Sequence, residues 1–338
     1  MQIIKNYSLK DYNTFGFDVN ASSFVSINTE NDLIELFQSG ILRECTFFVL
    51  GGGSNVLFTQ DYEGIVVHIE NKGIHLVSED DNRIIINASA GEVWENFVDK
   101  MVELNYGGIE NLALIPGYCG SCAVQNIGAY GVEISDTIIS IRYFDLISGT
   151  FKNIEKANCN YGYRDSIFKH ALKNNAIITD ITFGFTKKST TNSSYGALNK
   201  ELDKLGIINP TIQDIATIVK EIRQSKLPNV KELGNAGSFF KNPYISKLQL
   251  IKLQQNYPDL ICYPIDETTF KLAAGQLIEL CGWKGKAVGA VGVHAKQALI
   301  LVHYGNGVGQ EIVDLSNQII EDVNKKFGII LSPEVIFV

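Results

Sequence analysis

The sequence predicts a mixed helix-and-strand protein of two or three domains. Three observations carry this. The 338 residues exceed the roughly 100–200 residues of an ordinary domain. Up to residue 69 the chain reads strand, helix, strand, glycine turn, strand, a βαβ-like order. Further on, residues 137–146 and 177–185 run apolar or alternate, as strands of a mixed or antiparallel sheet do.

In chain order, residues 24–27 predict a short strand. Residues 31–37 predict a helix with Leu33, Ile34 and Phe37 on one face. Residues 47–50 (FFVL) predict a buried strand that ends in Gly51-Gly52-Gly53-Ser54-Asn55, and 65–69 the next strand. A second segment opens near Gly73. It has a strand over 83–88 and a helix over 93–104, on which Val93, Trp94, Phe97, Val98, Met101 and Val102 form one stripe. Residues 105–131 contain six glycines and a proline, which forbid a long regular element. A loop of that length inside a globular protein is usually functional. A third segment starts at Asn209-Pro210, read as a helix cap and first helical residue. Ile212, Ile215, Ala216, Val219 and Ile222 continue the stripe up to Leu227-Pro228. Strands over 287–293 and 298–303 follow, then a helix over 316–327 that stops at Gly328.

Composition narrows the function. Apolar residues make up 45% and charged residues 20%, a globular balance. The net charge of −8 and pI near 5.2 disfavour nucleic-acid or anionic-membrane partners. The first residues, MQIIKNYSLKDYN, lack the apolar run and cleavage site of a signal peptide, and no stretch of about 18 apolar residues occurs. Six scattered cysteines in a chain able to build its own core point to reduced thiols, hence the cytoplasm. The five histidines show no metal-ligand spacing, so no metal is expected.

Read one at a time, the motifs leave alternatives open. The turn at 51–55 follows a strand and is either a tight bend or a cradle for a pyrophosphate. Val56 stands where a dinucleotide fingerprint needs its third glycine. Cys119-Gly-Ser-Cys122 has redox spacing, but it sits in mid-loop rather than at a strand-to-helix junction. Tyr161-Gly-Tyr163-Arg164-Asp165 offers either a structural Arg–Asp pair or a guanidinium fork for a carboxylate. Ser238, at the exit of a glycine turn, reads alone as a cap. Glu334, in an otherwise apolar tail, lies at a rim or is buried on purpose.

Together and in order, these segments are specific: GGGSNVLF at 51–58, IENLALIPG at 109–117, QNIGAYG at 125–131, YGYRDSIFK at 161–169, KLP at 226–228, GNAGSFFKNP at 234–243 and PEV at 333–335. The chain resembles the UDP-N-acetylenolpyruvoylglucosamine reductase family over nearly its whole length. Tyr195, in Asn192-Ser-Ser-Tyr195-Gly, matches the substrate-covering tyrosine loop of the larger subtype. One departure is Cys122, where the family more often has Ser or another small residue.

The resemblance implies an α+β fold, with a two-part FAD-binding region of the vanillyl-alcohol-oxidase type and a C-terminal α/β substrate-binding domain. The parts would span 1–69, 70–208 and 209–338, with the C-terminal tail returning to the active site. FAD would be held by Gly51, Gly52, Gly53, Ser54 and Asn55, and by Ile115, Pro116, Gly117, Gly120, Ser121, Asn126, Gly128, Ala129, Tyr130 and Gly131. NADPH would reduce FAD. The flavin N5 would then give hydride to C3 of the enolpyruvyl group of a UDP-linked sugar, and Ser238 a proton to C2. Arg164 and a protonated Glu334 would meet the charge that grows on the carboxylate. Tyr163, Tyr195, Lys226, Asn242, Tyr263 and Gln297 match substrate-pocket positions. The implied enzyme makes peptidoglycan precursors in the cytoplasm and is expected to be a monomer. An FAD-dependent oxidase would need neither Ser238 nor Glu334, and a catalytically dead relative would have lost Arg164, Ser238 or Glu334.

Overall fold

A computed structural model describes residues 1–188 and 191–338. The chain divides into two compact, interleaved units. The first comprises Met1–Tyr7, Ala21–Gly52 and Glu63–Ser225; the second comprises Ser8–Asn20, Gly53–Tyr62 and Lys226–Val338. One division falls inside the glycine turn, between Gly52 and Gly53.

In the first unit the predicted strand, helix and strand are present. The helix Glu30–Gln38 starts at a reciprocal cap: Asp32 N donates to Thr29 Oγ1 at 3.2 Å and Thr29 N to Asp32 Oδ2 at 2.8 Å, a device that contributes about 1 kcal/mol. Leu33 and Leu36 are its buried residues, with Ile34 and Phe37 only partly covered. The strand Phe47–Leu50 pairs in parallel with Tyr62–Ile69, Leu50 lying opposite His68. The sheet order is Ile3–Ser8, Asn20–Ile27, Tyr62–Ile69, Phe47–Leu50.

A second, antiparallel sheet runs Thr150–Glu155, Ile138–Asp145, Ala176–Thr186, Arg83–Ser89, Ile74–Glu79. The three inner strands are the ones predicted. The two edge strands went unread because they bury little: Leu76 and Val77 are both exposed, and TFKNIE carries no apolar run. The helix Trp94–Glu103 buries Trp94, Phe97, Val98 and Met101, as its stripe demands. Each such side chain contributes roughly 1.5–3 kcal/mol on burial.

Two expectations are corrected here. The glycine-rich stretch holds no long element, as expected, but it does contain a seven-residue helix, Cys119–Gln125, with Gly120 in its first turn. Cys119 therefore opens a helix instead of sitting in mid-loop. Burial pushes both the Cys119 and Cys122 thiols well above the ordinary range, which disfavours the reactive thiolate and the redox reading. The helix Ile212–Lys226 is capped by Thr211, not Asn209: Asp214 N donates to Thr211 Oγ1 at 3.1 Å, and Thr211 N to Asp214 Oδ2 at 2.8 Å. The shorter hydroxyl side chain one residue past Pro210 wins because a carboxylate three positions on answers it.

The second unit holds a four-stranded sheet, Gly234–Ser238, Ile300–His303, Val291–Val293, Ala287–Val288. The run 287–293 is thus two strands of a hairpin rather than one, reversed at Gly289-Ala290. The last helix is Gly309–Phe327 and begins seven residues before its apolar stripe becomes obvious, because 305–309 (GNGVG) reads as loop. Gly328 ends it in the left-handed conformation at φ 67°. The tail strand Ile336–Phe337 then pairs in parallel with Val56–Leu57.

Candidate active site

In the second unit, three motifs far apart in sequence come together. Lys241 N donates to Ser332 O at 2.9 Å, and Glu334 N to Phe239 O at 2.7 Å. The segments carrying Ser238 and Glu334 therefore run side by side. The glycine turn joins them: Asn55 Nδ2 donates to Glu334 O at 3.3 Å and Ile336 N to Asn55 O at 3.0 Å. Ser238 ends its strand after an irregularity in register between Asn235 and Ser238, where Gly237 takes φ 69° and donates its N–H to Asn235 Oδ1 at 3.0 Å. Such a bulge re-aims a side chain, and Ser238 is exposed. Glu334 is half-buried, so the rim reading of it is the better one.

The glycine turn leaves little room for a side chain, least of all at Gly53. A Cβ on Gly53 would stand 2.0 Å from Tyr12 O, at φ 63°. Within the first unit, a Cβ on Gly52 would meet Gly117 Cα at 3.0 Å, and one on Gly51 would meet Ser121 Cβ and Oγ at 3.2 Å. The two glycine-rich segments thus touch backbone to backbone. Helix Cys119–Gln125 presents Ser121 beside this contact, its Oγ donating to Tyr118 O at 2.9 Å. Unhindered backbone amides with a hydroxyl, from two segments, suit an extended diphosphate cofactor. Pro116 and Ser121 are exposed, and Ile115 and Gly117 half-buried.

Arg164 belongs to the first unit. Gly162 and Asp165 exchange backbone bonds at 3.1 Å each, which leaves Tyr163 and Arg164 as the tip of a two-residue turn. Asp165 pairs with His170 at 2.8 Å. The guanidinium goes to the other glycine loop: Arg164 Nη2 donates to Gly128 O at 2.6 Å and Nη1 to Asn126 O at 3.4 Å. Its plane also lies 5.2 Å from the Tyr163 ring centre. Asn126, fully buried, braces this loop from inside, donating to Glu133 Oε2 at 2.9 Å and Gly162 O at 2.8 Å. Leu114, Asn126, Tyr130 and Arg164 all have positive φ, between 47° and 60°. Left-handed backbone at non-glycine residues costs of order 1–3 kcal/mol each and gathers at functional sites.

The tyrosine loop docks on the same region. Asn192 Nδ2 donates to Gly131 O at 3.1 Å, and Asn111 Nδ2 bridges Tyr130 O at 3.0 Å and Asn192 O at 2.8 Å. Tyr195, 37% exposed, meets the Tyr130 ring edge-on at 5.4 Å. Ser189 and Thr190, which precede this loop, lie outside the described residues.

The remaining expected positions sit in different surroundings. Lys226 ends its helix and is exposed. Asn242 Oδ1 accepts from Ala274 N at 2.9 Å and so caps the helix Ala274–Leu280. Tyr263 lies on the edge strand Cys262–Pro264. Gln297 Oε1 accepts from Leu299 N at 3.3 Å. Arg223 escaped the sequence reading. It donates from Nε to Leu114 O at 3.3 Å and faces Tyr130. Burial lowers its pKa from the ordinary value and raises that of Tyr130, each partner's charge partly opposing the shift. On an amphipathic helix an arginine reads as surface, so the sequence held no signal for it.

Two family descriptions match the chain: an FAD binding domain over residues 21–155 and the C-terminal domain of UDP-N-acetylenolpyruvoylglucosamine reductase over 228–338. With the paired glycine segments, these define an FAD-dependent oxidoreductase. Among curated relatives, the UDP-N-acetylenolpyruvoylglucosamine reductase of Flavobacterium johnsoniae is 44% identical over 336 residues, 99% of each chain. That of Bacteroides fragilis is 41% identical over 99% of each chain, and that of Pseudomonas aeruginosa 41% over 99% of this chain and 98% of its own. The chain belongs to the UDP-N-acetylenolpyruvoylglucosamine reductase family. The crystal structure of the Thermus caldophilus reductase shares the fold, with a TM-score of 0.67 at 19% identity over 99% of this chain and 98% of its own.

Proposed function

We propose that this protein reduces UDP-N-acetylglucosamine enolpyruvate to UDP-N-acetylmuramate, using NADPH, in peptidoglycan precursor synthesis. The observation that carries the reading is the meeting, inside the second unit, of Asn55, Ser238 and Glu334 from three distant motifs. Bound FAD would supply the hydride chemistry that links NADPH to C3 of the enolpyruvyl group. The protein supplies the rest. Gly51, Gly52, Gly53, Ser54 and Asn55, with the 115–131 segment, hold the cofactor. Arg164 and Glu334 meet the carboxylate as charge moves onto it, and Ser238 delivers the proton to C2. Tyr163, Tyr195, Lys226, Asn242, Tyr263 and Gln297 bind the sugar nucleotide. No helix among the described residues is long and apolar enough to cross a membrane, and a cytoplasmic monomer acting through parts 1–69, 70–208 and 209–338 completes the proposal.

An anaerobic titration tests it. NADPH should bleach the flavin absorbance, and the enolpyruvyl substrate should restore it with formation of UDP-N-acetylmuramate. No restoration by the substrate, with rapid restoration once oxygen is admitted, would make the protein an oxidase instead.

Two further outcomes are expected. Glu334→Gln keeps a hydrogen-bond donor and loses only the ionisable group, so it should retain much more turnover than Glu334→Ala. Equal losses would assign Glu334 a proton relay or a charged role. Tyr195→Phe and Lys226→Ala should each raise the KM for the UDP-linked substrate by about 10- to 100-fold, the range of a hydrogen bond to a charged group, at unchanged flavin content. An unchanged KM in both would remove these two side chains from substrate binding.

A further inference from the structure

His68 lies in the apolar strand Tyr62–Ile69 and is 2% exposed. A buried imidazole must place its polar atoms, and an apolar residue would fill the same space without that cost. Its partners lie at the foot of the glycine turn. The parallel ladder ends with Leu50 opposite His68, and Leu50 immediately precedes Gly51. His68 Nδ1 is 3.1 Å from Leu50 O. A carbonyl can only accept, so the proton sits on Nδ1, and this side chain continues the hydrogen bonding where the strand peels away into the turn. Nε2 faces Glu70 Oε1 at 3.3 Å.

The ring also reaches the second glycine-rich segment. It lies tilted against Tyr118, with centroids 5.8 Å apart, while Phe24 supports it at 5.8 Å. Lys72 covers Tyr118 at 5.0 Å and donates to Gly91 O. Tyr118 is the residue before Cys119 and starts the helix that carries Gly120 and Ser121. A Cβ at Gly52 would meet the Tyr118 ring at 3.2 Å, and one at Gly51 its Cβ at 3.7 Å. One imidazole therefore touches the entry to the first glycine segment and the residue against which both Gly51 and Gly52 close.

We propose that His68 is a positioning residue for the cofactor cradle, its Nδ1–H bond to Leu50 O and its contact with Tyr118 setting 51–52 and 117–121 at the spacing that bound FAD needs. The inference rests on the assignment of those two segments to FAD.

The test is FAD release from the holoenzyme, followed by recovery of flavin fluorescence, with the melting temperature of each apoprotein measured alongside. His68→Phe keeps a ring but cannot donate. It should raise the Kd for FAD at least tenfold, the order expected of one buried donor lost, with an apoprotein that melts close to the parent. His68→Asn carries its amide nitrogen where Nδ1 stood and should return the Kd to within about threefold of the parent. Parent-like affinity in His68→Phe, or equal weakness in the Phe and Asn variants, would overturn the proposal. Should the Phe variant fail to fold, His68→Gln decides. Its amide nitrogen reaches the Nε2 position, away from Leu50 O, so it must bind FAD more weakly than the Asn variant, and equal binding overturns the proposal. Gly52→Val separates this from the underlying assignment. If it retains FAD as tightly as the parent, the segments are not the cradle. If it loses FAD while His68→Phe does not, only the positioning role falls.

Discussion

Replacing Ser238 by Ala should leave FAD bound and its reduction by NADPH intact, and slow turnover of the enolpyruvyl substrate by roughly 100- to 10,000-fold, the usual worth of a positioned general acid. The left-handed Gly237 and the slipped register of its strand put Ser238 outside the regular alternation. Phe239 and Phe240, which follow it directly, are both 1% exposed and anchor the chain beyond the strand. Phe239 is held twice, donating its N–H to Leu299 O at 2.7 Å and accepting from Glu334 N at 2.7 Å. A hydroxyl on so constrained a backbone needs no reorganisation to meet a reacting carbon. A serine is a weak acid, but hydride addition at C3 leaves strongly basic carbon at C2, so the transfer runs downhill. Because the hydroxyl is small and exposed, its loss should cost little stability. Stopped-flow spectra of the two half-reactions separate the steps. Slow flavin reduction by NADPH in Ser238→Ala would mean that the hydroxyl serves cofactor or NADPH binding instead of protonation.

What the sequence made legible follows from how each element earns its burial. Trp94, Phe97, Val98 and Met101 announce their helix because a core-facing stripe has a period of 3.6 residues. The edge strand Ile74–Glu79 stays hidden because its stability comes from backbone pairing on one side, with no apolar alternation to see. The helix Cys119–Gln125 is invisible for the opposite reason: it is buried on nearly every side and its small residues show no stripe. The motifs that suggest the site were recognisable by their order along the chain, not singly. The convergence of Asn55 with Glu334, 279 residues apart, is tertiary and left no local trace. Arg223 and His68 were hidden too, since a polar residue within an apolar pattern reads as surface or as a satisfied core group until its partners are seen.

Arg164→Lys should lower turnover by about 100- to 1000-fold, although the charge is kept. That is the range for removing one preorganised donor from a site where negative charge develops. The reason is geometric. The guanidinium is a planar fork with five N–H groups, so a single side chain can both hold a loop and meet a carboxylate bidentately. Here Nη2 and Nη1 already bind the carbonyls of Gly128 and Asn126, which ties the fork to the loop assigned to the cofactor. Lys169 Nζ donates to Arg164 O at 2.9 Å and helps hold the turn at the positive φ of 55°. A lysine ammonium is a point charge with three rotatable donors. It can replace one carbonyl contact or the carboxylate contact, but not both in a fixed plane. The enolic intermediate carries more charge on its carboxylate than the substrate does, so the loss should fall mainly on kcat, with a smaller change in KM. Flavin content and the rate of reduction by NADPH should stay near the parent values, because Asn126 keeps its own bonds to Glu133 and Gly162 and braces the loop without the guanidinium. If the variant instead loses FAD, the arginine works chiefly as the brace of the 126–128 loop. If it turns over like the parent, charge alone suffices at this position and the bidentate fork drops out of the mechanism.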